Sequence, residues 1–151
     1  MVFNEGTSQD KFYKSTVRPL VRSLLSTKQN LCILGFGPTS SGKSFAIKGT
    51  STDHGLLPRA VEDLLYQIKE RNARSIEAEH SLYESQHARE RLNGLRNHAL
   101  GLKVSLAQVF MEKTFDLLND AEIANKKSVN EVDKVSKKPI GSMDGLAKVL
   151  A

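Results

Sequence analysis

The feature that most constrains this chain is a glycine-rich loop that stands between an apolar run and a run suited to a helix. Residues 37–44 read Gly-Pro-Thr-Ser-Ser-Gly-Lys-Ser and satisfy the full phosphate-loop pattern Gly-x-x-x-x-Gly-Lys-Ser. Residues 31–34 in front of the loop, Leu-Cys-Ile-Leu, read as a fully buried strand of the kind that α/β sheets contain. Residues 44–48 behind it continue as a short helical turn. A strand, this loop and a helix in that order predict a site for the phosphates of a nucleotide.

The residue types of the loop explain the spacing of the pattern. Gly37 and Gly42 let the backbone turn so that successive N–H groups point at phosphate oxygens. Lys43 adds a mobile positive charge at the β- and γ-phosphates, and the Ser44 hydroxyl suits a Mg²⁺ ligand. The alternative is a Gly/Ser-rich turn with an incidental lysine, which would not need the strand and helix on either side. The predicted nucleotide-binding residues of the loop are Gly37, Pro38, Thr39, Ser40, Ser41, Gly42, Lys43 and Ser44.

Hydrolysis of a nucleotide requires groups beyond the loop, and the sequence leaves the catalytic residues unassigned. A nucleoside triphosphatase needs a carboxylate at the end of a second apolar strand to hold Mg²⁺, and a group that positions the attacking water. Residues 102–110 predict a strand, and Glu112 and Asp116 follow it, although ordinary surface carboxylates also follow strands. No Asp-x-x-Gly sequence occurs in the chain. The histidines lack metal-site spacing, and we interpret them as surface residues: His54, His80, His87 and His98.

The bulk composition is that of one globular domain without a membrane span. The chain has 151 residues, of which 39% are hydrophobic and 26% charged. The longest apolar run, residues 31–36, is far shorter than the ~20 residues that cross a bilayer, and the amino terminus has no signal-peptide pattern. The single cysteine, Cys32, excludes a disulfide framework and predicts a buried thiol in a reducing compartment. We therefore expect an intracellular protein that has no membrane partner.

The charge of the chain favours an acidic partner. The formal net charge is +5 and the pI is near 9.4, which suits a nucleic acid or an acidic protein surface. Basic residues are scattered, except in a Lys-rich loop region at about 120–139 that also contains four acids. No aromatic residues are interleaved there, so we expect no base-stacking surface and no nucleic-acid partner. The clustered lysines are Lys126, Lys127, Lys134, Lys137 and Lys138.

Two helices are predicted in the first half of the chain. The first spans about residues 9–25, with Ser8 as its N-cap and Pro19 as a kink or boundary. Its expected apolar stripe is Phe12, Thr16, Leu20 and Leu24, with Val17, Val21 and Leu25 alongside. The second opens near Leu57 with Pro58 in its first turn, after a surface loop at residues 49–55. Its apolar face consists of Val61, Leu64, Leu65 and Ile68.

The second half of the chain is more polar. Residues 70–97, rich in Arg and Glu, predict a charged helical extension or insertion. Residues 114–118 suit a helix or turn, and the Lys-rich region suits loops with short strands. Ser142 is suited to cap a final helix over residues 143–150, and Val2 and Phe3 suit the end of a strand.

Four stretches, in this order, resemble the kinesin motor domain. They are VFNEGTSQDKFYKSTVRPLVRSLL at residues 2–25, NLCILGFGPTSSGKSFAIKG at 30–49, HGLLPRAVEDLL at 54–65 and VSLAQVFMEKTFDLL at 104–118. The first resembles the family's strand and first helix, in which a proline at the position of Pro19 is expected. The other three resemble the strand with its P-loop, the Pro-Arg-Ala segment that resumes a helix, and the strand before an Asp-Leu-Leu sequel. Three blocks outside the loop disfavour other P-loop families such as kinases or switch GTPases.

The resemblance implies an α/β fold of the P-loop NTPase type, with a three-layer core and a central, mostly parallel sheet, of which residues 1–151 form an incomplete part. It implies ATP with Mg²⁺ as ligands, with Ser44 at the metal, Lys43 at the phosphates and Phe45 near the adenine. It implies microtubules as partner and a cytoplasmic location on the cytoskeleton. The five clustered lysines fall where kinesins carry a strand-loop-strand that touches acidic tubulin, although an ordinary solvated loop is an open alternative.

Departures from the family leave two functional hypotheses. Pro38 stands where kinesins usually have Gln, and Gln108 and Met111 replace the usual Glu and Asn. Residues 70–97 are longer than the usual connection, and neither the Asn-x-x-Ser-Ser-Arg-Ser-His switch nor the Asp-x-x-Gly-x-Glu switch occurs in the chain. The chain is therefore expected to be either the ATP-binding part of a microtubule motor or a kinesin-like module that binds nucleotide or tubulin without hydrolysis. We expect marginal stability for the chain alone, because apolar faces would lack their neighbours.

Overall fold

The computed structural model describes residues 1–83, 100–110, 113–118, 121–123 and 135–150, in two units. The first unit spans Met1–Leu100 and the second Gly101–Ala151. The first contains α1 (Gln9–Thr16), α2 (Arg18–Thr27), α3 (Lys43–Ile47) and α4 (Leu56–Tyr83). The second contains β1 (Leu102–Val104), β2 (Ala107–Phe110), β3 (Lys113–Asp116), β4 (Ala121–Ile123), β5 (Lys138–Ile140) and α5 (Met143–Leu150).

Local sequence signals set the ends of α1 and α2. The Ser8 hydroxyl accepts a hydrogen bond from the Lys11 backbone N–H at 3.3 Å, which confirms the predicted N-cap. Pro19 lies at the start of α2, where its missing N–H has no intrahelical partner to lose. The predicted break at Pro19 is therefore confirmed as the boundary between two helices. α2 ends where Lys28 adopts a left-handed conformation with φ of 53°.

The longest helix, α4, begins where the sequence predicts it. Pro58 lies in its first turn, and the helix continues for 28 residues into the charged segment. The helical extension predicted from residue 70 is therefore present as far as Tyr83, and residues 84–97 lie outside the described residues. The loop that precedes α4 is closed by an isolated bridge between Gly49 and His54.

The core of the first unit lies where α4 meets α1 and α2. Tyr13, Val17 and Val21 are buried against Leu56 and Ala60. Val61, Leu65 and Ile68 of the predicted apolar face of α4 are also buried. The predicted stripe of the first helix is confirmed at Val17 and Val21, whereas it is wrong at Leu20, which is 50% exposed, and it lacked the buried Tyr13. α4 packs against the face that carries residues 13, 17 and 21.

The run in front of the phosphate loop is not a buried strand, which corrects the sequence prediction. Leu31 packs partly against the core, but Cys32 is exposed and Leu34 is 82% exposed. A strand is defined by hydrogen bonds to neighbouring strands, and among the described residues no segment pairs with residues 31–36. The expected strand end at Val2 and Phe3 is likewise not formed. The Phe3 ring instead meets the edge of the Phe12 ring, with their centroids 5.0 Å apart.

The second unit contains two small antiparallel sheets. β1 pairs with β5, with Leu102 opposite Ile140, and β2, β3 and β4 form the other sheet in that order. The single strand predicted over residues 102–110 is therefore divided, because its two halves pair with different partners. The helix or turn predicted over residues 114–118 is in part a strand, followed by a turn. The described strands pair only in antiparallel fashion, so the expected parallel sheet is not formed among them.

The last helix of the described residues, α5, packs the apolar side chain of Leu146 into the second unit. The Ser142 hydroxyl accepts a hydrogen bond from the Gly145 backbone N–H at 3.2 Å, so the predicted cap is confirmed. Leu146 is only 2% exposed, and Val135 and Ile140 are buried as well. This small core stabilises α5 against the end of β5.

Candidate functional site

The phosphate loop adopts a conformation that requires its two glycines. Gly42 has φ of 84° and directly precedes α3, and Gly37 has φ of 152°. Side chains are strained in this region of φ, and a Cβ on Gly37 would lie 2.8 Å from the Ser41 hydroxyl oxygen. Ser40, with φ of 64°, completes a tight turn. The backbone therefore bends sharply into the first residue of α3, as a loop that wraps around phosphates must.

Lys43 holds this loop together. Its ammonium Nζ donates a hydrogen bond to the Gly37 carbonyl at 2.8 Å and a second one to the Pro38 carbonyl. The Pro38 carbonyl also accepts the Ser41 backbone N–H at 3.3 Å. Proline at position 38 takes part through its carbonyl, which its ring leaves intact. The positive charge of Lys43 therefore lies inside the loop, and its two partners are neutral oxygens that a phosphate oxygen can replace.

The other predicted site residues are accessible. Thr39, Ser40, Ser41 and Ser44 are exposed, and the Phe45 ring is 52% exposed. Ser44 lies in the first turn of α3, next to Lys43, so its hydroxyl is free to meet a metal ion held by phosphates in the loop. The residues present therefore fit a magnesium nucleotide: backbone N–H groups, one ammonium group and one hydroxyl.

A residue that sequence reasoning missed anchors α3 to α1. Gln9 is only 4% exposed, and its side-chain Nε2 donates a hydrogen bond of 2.7 Å to the Phe45 carbonyl. In the sequence, Gln9 is a polar residue in the first turn of a helix, and such a residue ordinarily faces solvent. Its burial therefore has no local sequence signal. Since the two residues are 36 positions apart, no local pattern links them.

A cavity of about 390 Å³ adjoins the loop on its apolar side. Ile33, Leu34 and Phe36 line it from the segment before the loop, and Phe12 and Ile47 line it from α1 and α3. Apolar side chains offer no hydrogen bonds to phosphate oxygens. Residues 41–43 of the loop also line the cavity, so the loop supplies polar groups to one side of it.

Asp116, one of two carboxylates considered for Mg²⁺, has a structural role. It is 4% exposed, and its two oxygens accept the backbone N–H groups of Leu118 at 2.9 Å and Ser136 at 2.8 Å. Hydrogen bonds from the Ser136 side chain and backbone lower the pKa of Asp116. This carboxylate therefore ties the turn after β3 to a segment 20 residues later. The other candidate, Glu112, lies outside the described residues.

Of the five clustered lysines, Lys137 and Lys138 lie in the described part of the chain. Both are exposed, and the Lys138 ammonium donates a hydrogen bond to the Leu118 carbonyl at 3.1 Å. Lys126, Lys127 and Lys134 lie outside it. Within residues 1–83 and the other described ranges, no three His, Cys, Asp or Glu residues come together as a metal site. No helix among these residues is long and apolar enough to cross a membrane.

The sequence profile of the kinesin motor domain matches residues 1–151. The chain belongs to the kinesin motor domain family. Mouse kinesin-like protein KIF22 is 29% identical over 119 residues, which are 79% of this chain and 15% of that protein. Rice kinesin-like protein KIN-14I is 40% identical over 68 residues, 45% of this chain and 5% of that protein. The family predicted from the four sequence blocks is therefore confirmed, and the chain spans a small part of the length of these kinesin relatives.

Solved kinesin structures have the same fold. The Drosophila kinesin family member NOD, in complex with AMPPNP, superposes with a TM-score of 0.67 at 23% identity over 95% of this chain. A KIF14 dimer with AMP-PNP, in complex with a microtubule, superposes with a TM-score of 0.64 at 21% identity over the same fraction. These matches cover 42% and 36% of the two solved kinesin chains. They confirm the predicted P-loop NTPase fold class.

Proposed function

We propose that this chain is the ATP-binding part of a microtubule motor, in which ATP hydrolysis drives movement along microtubules in the complete protein. The observation that carries the proposal is the glycine-dependent turn of residues 37–44, with the Lys43 ammonium inside it, in a chain of the kinesin family. The complexes of NOD with AMPPNP and of KIF14 with AMP-PNP and a microtubule support the choice of nucleotide and of partner.

The loop residues have distinct roles in the proposed site. The backbone N–H groups of residues 37–44 bind phosphate oxygens, and Lys43 exchanges the Gly37 and Pro38 carbonyls for the β- and γ-phosphates. The Ser44 hydroxyl is the proposed Mg²⁺ ligand, and Phe45 packs near the adenine. The metal ion neutralises charge on the β- and γ-phosphates when it is bound.

The proposed microtubule contact uses the Lys-rich region. Lys126, Lys127, Lys134, Lys137 and Lys138 are the proposed tubulin-facing residues, because an acidic surface attracts a positive loop over about a Debye length. The attraction should weaken as salt is added. Under this proposal the protein works in the cytoplasm, on the cytoskeleton.

The experiment that tests the nucleotide site compares three proteins with a fluorescent ATP analogue and Mg²⁺. Wild type should bind saturably, Lys43→Ala should lose binding, and Lys48→Ala should bind as wild type does. Lys48 is a matched control, since it is an exposed lysine just after α3 and, unlike Lys43, lies outside the phosphate-loop pattern of residues 37–44. A folded wild-type chain that does not bind the analogue would refute the proposal.

Turnover separates a motor from a module that only binds. Phosphate release is measured for the chain that binds the analogue, with and without microtubules. Stimulation by microtubules supports the motor function. Binding without any stimulated release would favour the alternative, a non-hydrolysing nucleotide- or tubulin-binding module.

A further inference from the structure

A second charged site lies in a cleft between α2 and α4. The cavity has a volume of about 330 Å³, and it shares no lining residue with the phosphate loop. We call it the arginine cleft, because three of its seven lining side chains are arginines. The lining residues are Arg22, Leu25 and Ser26 of α2 with Gln67, Glu70, Arg71 and Arg74 of α4.

Hydrogen bonds from α4 to the backbone of α2 hold the walls of the cleft. The Arg71 guanidinium donates to the Leu25 carbonyl at 2.9 Å, in the last turn of α2. The Gln67 amide reaches the Val21 carbonyl at 3.5 Å, one turn earlier. These contacts link two helices that pack directly on each other, so the positions of the cleft arginines depend on the helix pair rather than on a loop.

The positive charge in the cleft is not neutralised by its own carboxylate. Glu70, the one acidic side chain of the lining, accepts the Tyr66 hydroxyl at 2.9 Å and lies 3.5 Å from the Arg74 guanidinium. Within the described part of the chain, Arg22 makes no ion pair or side-chain hydrogen bond. Three positive charges against one negative charge leave an excess of two around one cavity. Like charges that line one cavity repel one another, and an anion bound between them would relieve that repulsion.

We propose that the arginine cleft binds a phosphate group, independently of the nucleotide site. The planar guanidinium group binds phosphate oxygens through two parallel N–H bonds, which makes arginine the preferred side chain for this anion. A phosphate at neutral pH carries a charge of about −1.5 to −2, which matches the excess in the cleft better than a carboxylate or chloride does. Arg71 retains N–H groups beyond the one that it donates to Leu25. The chemistry is the same for free phosphate and for a phosphate ester on a protein.

The test is a titration of the full chain with inorganic phosphate, followed by NMR of the arginine Nε–H groups at constant ionic strength. Arg22, Arg71 and Arg74 should shift saturably. Arg18 and Arg59 should stay in place, because both are already paired with aspartates. The same titration of Lys43→Ala should give unchanged shifts in the cleft, which separates this site from the phosphate loop.

Two charge-removing variants and one control complete the test. Arg22→Gln and Arg74→Gln should each weaken phosphate binding about tenfold, the loss expected for one hydrogen bond to a charged group. Both side chains are exposed, so their replacement should leave the fold intact. Arg71 is not replaced, because its hydrogen bond to the Leu25 carbonyl holds the last turn of α2. Lys69→Gln removes the same charge from an exposed position of α4 outside the cleft and should have no effect.

Two results would overturn the proposal. One is a linear shift of equal size at the three cleft arginines and at the two controls, Arg18 and Arg59, which would indicate general ionic screening. The other is a loss of binding in Lys69→Gln as large as in Arg22→Gln. A short phosphoserine peptide identifies the source of the phosphate: tighter binding than inorganic phosphate indicates a phosphorylated protein, and equal or weaker binding indicates the free ion.

Discussion

The partly buried hydrogen bond from the Gln9 amide to the Phe45 carbonyl is expected to stabilise the nucleotide site through α3. The Gln9 amide lies 2.7 Å from that carbonyl and belongs to α1, whereas Phe45 belongs to α3, which begins at Lys43. Gln9→Met keeps the length of the side chain and removes the donor. The Phe45 carbonyl still accepts the Gly49 backbone N–H at 2.9 Å, so it is not left without a partner.

The expected loss of unfolding free energy is small because the Phe45 carbonyl keeps this second hydrogen bond. Loss of one hydrogen bond whose acceptor keeps another donor costs about 1 kcal/mol of unfolding free energy. If α3 also loses its position, affinity for the ATP analogue should fall by up to about fivefold, the factor that corresponds to the same free energy. The chain has no tryptophan and three tyrosines, Tyr13, Tyr66 and Tyr83, all in the first unit. Urea unfolding followed by tyrosine fluorescence therefore reports on the unit that contains Gln9.

The matched control is Gln29→Met, which makes the same chemical change at an exposed position. It should leave both the urea midpoint and the affinity unchanged. If Gln9→Met lowered the urea midpoint no more than Gln29→Met does, the hydrogen bond from Gln9 would not stabilise the first unit. If the urea midpoint fell and the affinity for the ATP analogue did not, the hydrogen bond would stabilise the first unit without supporting the nucleotide site.

Two further predictions concern the cores of the two units. Leu56→Ala should lower the unfolding free energy of the first unit by about 2–5 kcal/mol, because Leu56 is 5% exposed and its removal leaves a cavity. Leu20→Ala, at a side chain that is 50% exposed, should cost far less in the same tyrosine-fluorescence assay, and equal losses would contradict the observed packing. In the second unit, the lowered pKa of Asp116 stabilises the fold above the ordinary aspartate pKa of 3.8, and this stability should be lost as the pH falls through the lower, folded value. The protection of the Leu118 and Ser136 amides against hydrogen exchange, relative to an unfolded chain at the same pH, should fall on acidification because both amides donate to this carboxylate, and Asp116→Asn should remove that pH dependence.

Local features of the fold could be predicted because their causes lie within a few residues. Ser8 and Ser142 cap helices through an N–H group three residues away. Pro19 and Pro58 lie in first turns, where proline has no intrahelical bond to lose. The phosphate loop belongs to the same class, since its left-handed glycines are needed by the turn itself.

Pairing and packing between distant segments could not be predicted in this way. An apolar run such as residues 31–36 reads as a strand, but strand formation depends on a neighbour that the run does not encode. Tyr13 is buried and Leu20 is exposed because α4 packs on one face of the first helices, and the sequence of those helices does not specify which face that is. The split between β1 and β2 likewise came from their different partners.

The sequence by itself determined the family of this protein, the position of the phosphate loop, and the beginnings of α1, α4 and α5. These properties rest on backbone conformations that short stretches prefer on their own. Only the tertiary structure shows that Gln9 holds α3, that Asp116 binds the Ser136 backbone N–H, and that three arginines surround one cleft. Each of these joins residues that lie 20 or more positions apart, or lie on different helices, so only the folded chain brings them together.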